Sequence, residues 1–347
     1  MDASFNREAA DIAAGDLKGD AAFLRGECDK NSRVNAKSQQ KTQPADSCEP
    51  DVLLALFSRF SPRLGRHIRL AKTVPRGGDP TKIVPYEHAK HFSAFGADVS
   101  DFDKLRDVLG YLLGKSAVCV VQGGKLDSAN PNYMQKLIYD TPDFDHPEII
   151  YPATIFDKAS SILPIDGDDL QPPPEARTLR DRALWMRSML LPEFHNARCI
   201  GTATASYGLN KGVRIRLWFR LDRALTCADK RRWLKPLQKI DFVDFVDLGL
   251  YSANQPVYTA APVFEDPSDD PLFELPRLVV LDGEELVRTP HAERLKTPPR
   301  PPYQAPLRGT LQGDGGIMLS MACMTIRAMN APPRDGDPPR PPRHEVI

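Results

Sequence analysis

Two apolar runs, residues 197–206 and 213–221, are separated by Tyr207-Gly208-Leu209-Asn210-Lys211-Gly212, and this arrangement constrains the fold more than any other stretch of the chain. Runs of that length joined by a polar, glycine-containing loop read as a β-hairpin, which commits the chain to antiparallel sheet. Within the second run, alternation places Arg214, Arg216 and Trp218 on one face and Val213, Ile215, Leu217 and Phe219 on the other, because successive strand side chains point to opposite sides. The apolar face requires a core. The cationic face reads either as a phosphate-binding surface, for which two guanidiniums are well shaped, or as the wet face of an edge strand. Ser206, Asn210 and Lys211, just before the strand, offer further donors to an anion.

The rest of the folded span mixes strands with helices. Ser100 or Asp101 caps a helix whose apolar residues Phe102, Leu105, Val108, Leu109, Leu112 and Leu113 recur at helical spacing, and Gly114 closes it. A strand follows at 117–121, another at 162–166, and a helix at about 175–191 after the prolines at 172–174. Thr226 and Asp229 form a capping box for a third helix, with Pro236 near its end. Further strands are predicted at 242–247, 258–260 and 277–281. This order predicts an α+β fold, with mixed or antiparallel sheet packed on helices.

Composition sets the boundaries. Residues 1–50 are polar and poor in large apolar side chains, and are expected to form a disordered leader. Residues 286–347 are expected to be a Pro-rich linker, a short apolar segment and a Pro/Arg tail, leaving 51–285 as the folded domain. The six cysteines are scattered without a C-x-x-C pair, which argues against a zinc module or disulfide scaffold. The first thirty residues lack an apolar signal core and the run 317–329 is too short to span a bilayer. A cytoplasmic protein with no membrane partner is the expectation.

Formal net charge is zero, so the whole-molecule field favours no polyanion. Locally the balance differs: from residue 211 to 235 nine Lys or Arg face two acids, whereas 140–169 is acidic. At the end of the apolar run 162–165 lies Asp166-Gly167-Asp168-Asp169. On a strand, Asp166 and Asp168 share one face and Asp169 points away if the strand continues. Hard oxygen ligands of this kind suit Mg²⁺ or Mn²⁺, and Asp247, at the end of Phe245-Val246, is the natural third acid. The alternative is a polar turn that closes a strand. Downstream, Asn254 and Gln255 can hydrogen-bond a base or sugar and Tyr251 or Tyr258 can stack on one, or the segment is a structured loop. Gly110-x-x-x-Gly114-Lys115-Ser116 is one residue short of a P-loop and lies between a helix and a strand, in the reverse of the required order. His88 and His91 read as surface residues, and Trp185, Trp218 and Trp233 as core.

Taken together, these segments resemble the catalytic core of the archaeo-eukaryotic primase superfamily, in particular the primase-polymerase domains of phage and mobile-element replication proteins. The resemblance runs from about residue 85 to 282. It begins at Lys90-His91-Phe92-Ser93 and Val121-Gln122-Gly123, includes Ile165-Asp166-Gly167-Asp168, Ser206 through Phe219, and Asp247, and is most specific at Gln255-Pro256-Val257-Tyr258-Thr259-Ala260-Ala261-Pro262. It implies a DNA primase-polymerase that uses two Mg²⁺ or Mn²⁺ ions on Asp166, Asp168 and Asp247. Ser206, Lys211, Arg214, Arg216, Gln255 and Tyr258 would bind a nucleoside triphosphate. The basic helix with Lys230, Arg231, Arg232 and Lys235 would track a single-stranded DNA template, and a separate helicase would be the partner because no motor follows in this chain. Arg216 stands where the family usually carries a His that contacts the nucleotide's phosphates. That departure supports an alternative, a non-catalytic replication-initiation or single-stranded DNA-binding module on the same fold.

Overall fold

The computed structural model describes residues 51–240 and 242–295; the expected leader at 1–50 and the tail from 296 onward lie outside the described residues. Strand β1 (Val52–Ser58) pairs antiparallel with β2 (Phe92–Asp98), placing Val52 opposite Asp98 and Ser58 opposite Phe92. Helix α1 (Phe102–Leu113) follows, its first turn held by the Asp101 carboxylate, which accepts from Lys104 N. Strand β3 (Val118–Val121) returns along the other side of β1. After a long irregular stretch come β4 (Ser160–Gly167), helix α2 (Leu179–Ser188), β5 (Cys199–Ala203) and β6 (Ile215–Leu225). Helix α3 (Cys227–Leu234), β7 (Val257–Tyr258) and β8 (Leu278–Leu281) complete the main elements.

The strands form two four-stranded antiparallel sheets, ordered β7-β3-β1-β2 and β4-β6-β5-β8. The fold is thus mixed α+β with few helices, as the sequence predicts, and the hairpin β5–β6 sits at the centre of the second sheet. Period-two alternation divides each strand between two cores. Leu53, Ala55 and Phe57 of β1 pack with Leu105, Val108, Leu109 and Leu112 of α1, together with Ile162, Ile200 and Trp218 of the second sheet. Leu54 and Leu56 join a second core with Leu163, Ile165, Leu217 and Phe219, covered by α2 and α3. Each fully buried side chain of this kind is worth about 2 kcal/mol, and the shared cores tie the sheets together.

Several expectations change at this point. Both faces of β6 are buried from Ile215 to Phe219, and Trp218, 1% exposed, lies in the core on the same face as Arg216; this central part of the strand has no wet face. Helix α2 starts later than expected because Thr178 and Asp181 form a reciprocal capping box after the prolines at 172–174. The strand predicted at 242–247 is limited to Val243–Asp244, paired with Lys239–Ile240. Residues 286–295, expected to begin a linker, pack on the body. Val287 is buried and bridges Leu221, and Thr289 donates from both N and Oγ1 to Asp222. No helix among the described residues is long and apolar enough to cross a membrane.

Candidate functional site

The last turn of β4 fixes the first acid. In the β4–β6 register Asp166 lies opposite Arg216, and the two side chains form a two-bond ion pair: Arg216 Nε donates to Asp166 Oδ1 at 2.9 Å and Nη2 to Oδ2 at 2.6 Å. Arg216 Nη1 donates to the carbonyl of Tyr258 at 2.8 Å. Tyr258 belongs to the edge of the first sheet, so the guanidinium joins the two sheets. Burial opposes the charge of Arg216, yet Asp166 more than offsets it and raises the guanidinium pKa.

The chain leaves β4 at Gly167, and Asp168 and Asp169 turn together toward Arg214 instead of alternating. Arg214 Nη1 donates to Asp168 Oδ1 at 3.1 Å, Nη2 donates to Asp169, and Nε holds the Lys211 carbonyl at 2.8 Å. Arg214 adopts a left-handed backbone, φ 50°, which carries it out of the regular β6 ladder toward these acids. Gly212, at φ +96°, makes the approach possible: a Cβ there would sit 2.0 Å from the Asp168 carbonyl oxygen. Only glycine fits.

The third acid arrives by backbone pairing. Val246 bridges Gly167, and Phe245 O accepts from Asp168 N at 3.3 Å, which brings Asp247 alongside the end of β4. Its exposed carboxylate uses Oδ1 to accept from Gly249 N at 2.7 Å, capping the short helix Leu248–Leu250. Burial, followed by the charges of Asp166, Asp169 and Asp247, raises the pKa of Asp168, with Arg214 opposing. Such crowding suits a cation.

Two residues of this site carry no sequence signal that would single them out. Lys72 Nζ donates to Ser206 Oγ at 3.0 Å, and Ser206 itself is only 5% exposed. Burial and then Arg214 lower the Lys72 pKa, while Asp168 opposes the shift. Tyr86 stacks on Tyr258 with ring centres 3.7 Å apart. Burial pushes its phenol to about 12, with Arg216 acting against the shift and Asp166 and Asp168 adding to it. Both residues lie in irregular segments more than 100 positions from their partners, where periodicity is silent.

The remaining expected residues divide. Lys211 and Gln255 are exposed, and Gln255 N closes a turn onto Ser252 O. Asn254 is taken up by Lys136 O and Ser252 Oγ. Tyr251 is core: 2% exposed, it donates its hydroxyl to Pro164 O at 2.7 Å. Arg231, Arg232 and Lys235 are exposed on and just after α3. Lys230 is not: it is 0% exposed, with Nζ donating to Gln122 Oε1 at 3.1 Å and Ile162 O at 2.8 Å. It therefore faces the core instead of a template, and burial lowers its pKa to about 8.

Among the described residues no three His, Cys, Asp or Glu side chains are grouped about a common point. Of the three acids, Asp166 has both oxygens on Arg216, whereas Asp168 and Asp247 each have one oxygen engaged by protein donors in the contacts above and one left. Hard carboxylate oxygens with incomplete charge compensation fit Mg²⁺ or Mn²⁺. No protein-family model, curated protein or solved structure matches this chain.

Proposed function

We propose that this chain is a nucleotidyltransferase of primase-polymerase type, acting in replication of a phage, plasmid or integrated element. It would join a nucleotide from a nucleoside triphosphate to a 3′ hydroxyl on a single-stranded DNA template. The observation that supports the reading is the bridge between Gly167 and Val246, which brings the backbone of Asp247 to the end of the strand that carries Asp166. Next to these acids stand Lys72, Arg214 and Arg216 with Ser206.

A divalent ion bound by Asp168 and Asp247 would polarise the reacting phosphoryl group and lower the pKa of the attacking hydroxyl. The chain's own cations account for the rest. Lys72 and Arg214 carry charge for the triphosphate, and Arg216 holds a fixed positive charge where negative charge grows on the leaving pyrophosphate. The O3′–Pα bond forms, the bond from Pα to the bridging oxygen breaks, and the hydroxyl proton passes to solvent. Arg231, Arg232 and Lys235 offer template phosphates an exposed basic surface.

The Arg216–Asp166 pair favours a second reading, since it occupies a carboxylate that catalysis would otherwise use. On that reading the chain is a DNA-binding module without chemistry. Incubation with unprimed and primed single-stranded DNA, Mn²⁺ and either ribonucleotides or deoxyribonucleotides separates the two. Labelled product of any length supports transfer; salt-dependent DNA binding without product supports the module.

A further inference from the structure

The acid that resembles the first metal ligand of a two-ion site already has a cation. Arg216 commits two nitrogens to Asp166 and a third to the Tyr258 carbonyl, is 8% exposed, and lies 5.8 Å from the centre of the Trp218 ring. Its partners come from both sheets, and the Tyr86–Tyr258 stack covers this corner of the site. To leave Asp166, the guanidinium would have to give up its bonds while remaining inside a packed core, and a charge stranded in that way is strongly disfavoured. A small dication competes poorly for an oxygen pair held like this. The more exposed carboxylates are those of Asp168 and Asp247, each with one oxygen outside the contacts described above.

Resting on the nucleotidyl-transfer reading, we infer that Arg216 is a resident cation that takes the place of one metal ion, so that the site binds a single divalent ion through Asp168 and Asp247. A guanidinium supplies the charge of that position without being lost to chelators. It cannot offer a vacant coordination position to a hydroxyl or a phosphate oxygen. Asp166 is accordingly a positioning residue: it holds Arg216 and does not ligate the ion.

Mn²⁺ titration of the full chain without nucleotide, read by the loss of the free-ion paramagnetic resonance signal, tests this. Wild type should bind one ion per chain, Asp166→Asn should still bind one, and Asp168→Asn should lose it. Arg216→Gln, which frees the Asp166 oxygens, should bind two. Two ions in wild type, or loss of the ion in Asp166→Asn, overturns the inference and leaves nucleotidyl transfer standing. No ion in folded wild type overturns the inference as well, and leaves nucleotidyl transfer to be decided by primer extension, because the triphosphate supplies ligands of its own. If Arg216→Gln does not fold, the Asp166→Asn result decides.

Discussion

Arg216 and Asp166 face one another across adjacent strands and close a two-bond ion pair whose third guanidinium contact reaches the carbonyl of Tyr258 on the other sheet. The pair is thus part of the seam between the sheets as well as of the site. Removing one member of a buried pair costs about 3–5 kcal/mol because the other is left charged and unpaired, while replacing both with apolar groups is often close to neutral. Arg216→Met should therefore lower unfolding free energy by about that much, and Arg216→Met with Asp166→Leu should recover most of it. Urea unfolding of the two variants against wild type measures the difference.

Lys230 predicts an unusual pH dependence. Its folded pKa, about 8, lies below the ordinary 10.5, so between those values the unfolded chain binds more protons than the folded one and stability rises with pH. Below about pH 8 both states are protonated and the full penalty of the buried charge is present. Cys119, Cys199 and Cys227 act in the opposite sense. Burial pushes their thiols to about 12, so stability falls as pH rises above the range where unfolded thiols ionise. Comparing wild type with Lys230→Met cancels Cys119 and Cys199, and Lys230→Met with Cys227→Ala against Cys227→Ala alone removes the one thiol that interacts with Lys230. Between pH 8 and 10.5, wild type should gain roughly 3 kcal/mol relative to the variant in urea unfolding.

Gly212 and Gly110 form a contrasting pair. Gly212→Ala drives a methyl into the Asp168 carbonyl from a left-handed backbone, a strain of about 1–3 kcal/mol before the collision is added. Gly110 lies in α1 with open space around a built Cβ, where alanine is favoured by about 0.5–1 kcal/mol. Thermal melts should show Gly212→Ala lowered by several degrees, roughly 5 °C or more, and Gly110→Ala unchanged or raised.

The exposed basic surface of α3 predicts how binding to single strands depends on salt. If Arg231 and Arg232 each neutralise one phosphate, changing both to Gln reduces the slope of log affinity against log salt by about 1.4. Lys230→Gln should leave the slope unchanged, because that side chain faces the core. Fluorescence anisotropy with a labelled oligonucleotide over a salt series gives both slopes.

What could be read from the sequence followed local rules. The caps at Asp101 and Thr226 and the helical spacing of Phe102, Leu105 and Leu109 placed α1 and α3, and the hairpin placed β5 and β6. Contacts between distant segments were not legible in this way. Nothing around Lys72 or Tyr86 indicates that they meet Ser206 and Tyr258. Lys230 did carry a signal: Cys227, Lys230 and Leu234 fall at i, i+3 and i+7, the stripe that α3 buries, so position outweighed charge. Trp218 shares a face with the arginines, and its aromatic side chain indicates that the face is covered, not wet. Asp169 joins Asp168 on Arg214 because the strand ends at Gly167, a boundary that alternation alone cannot supply.

Primer extension on a single-stranded DNA template with Mn²⁺ and deoxyribonucleotides, comparing wild type with Asp168→Asn and Asp247→Asn, tests nucleotidyl transfer most directly. Wild type should extend the labelled primer one nucleotide at a time, and each variant should lose at least about a hundredfold in rate while melting normally, a change of about 3 kcal/mol in barrier. Equal extension by wild type and both variants, or no extension by a folded, DNA-binding wild type, would contradict the assignment.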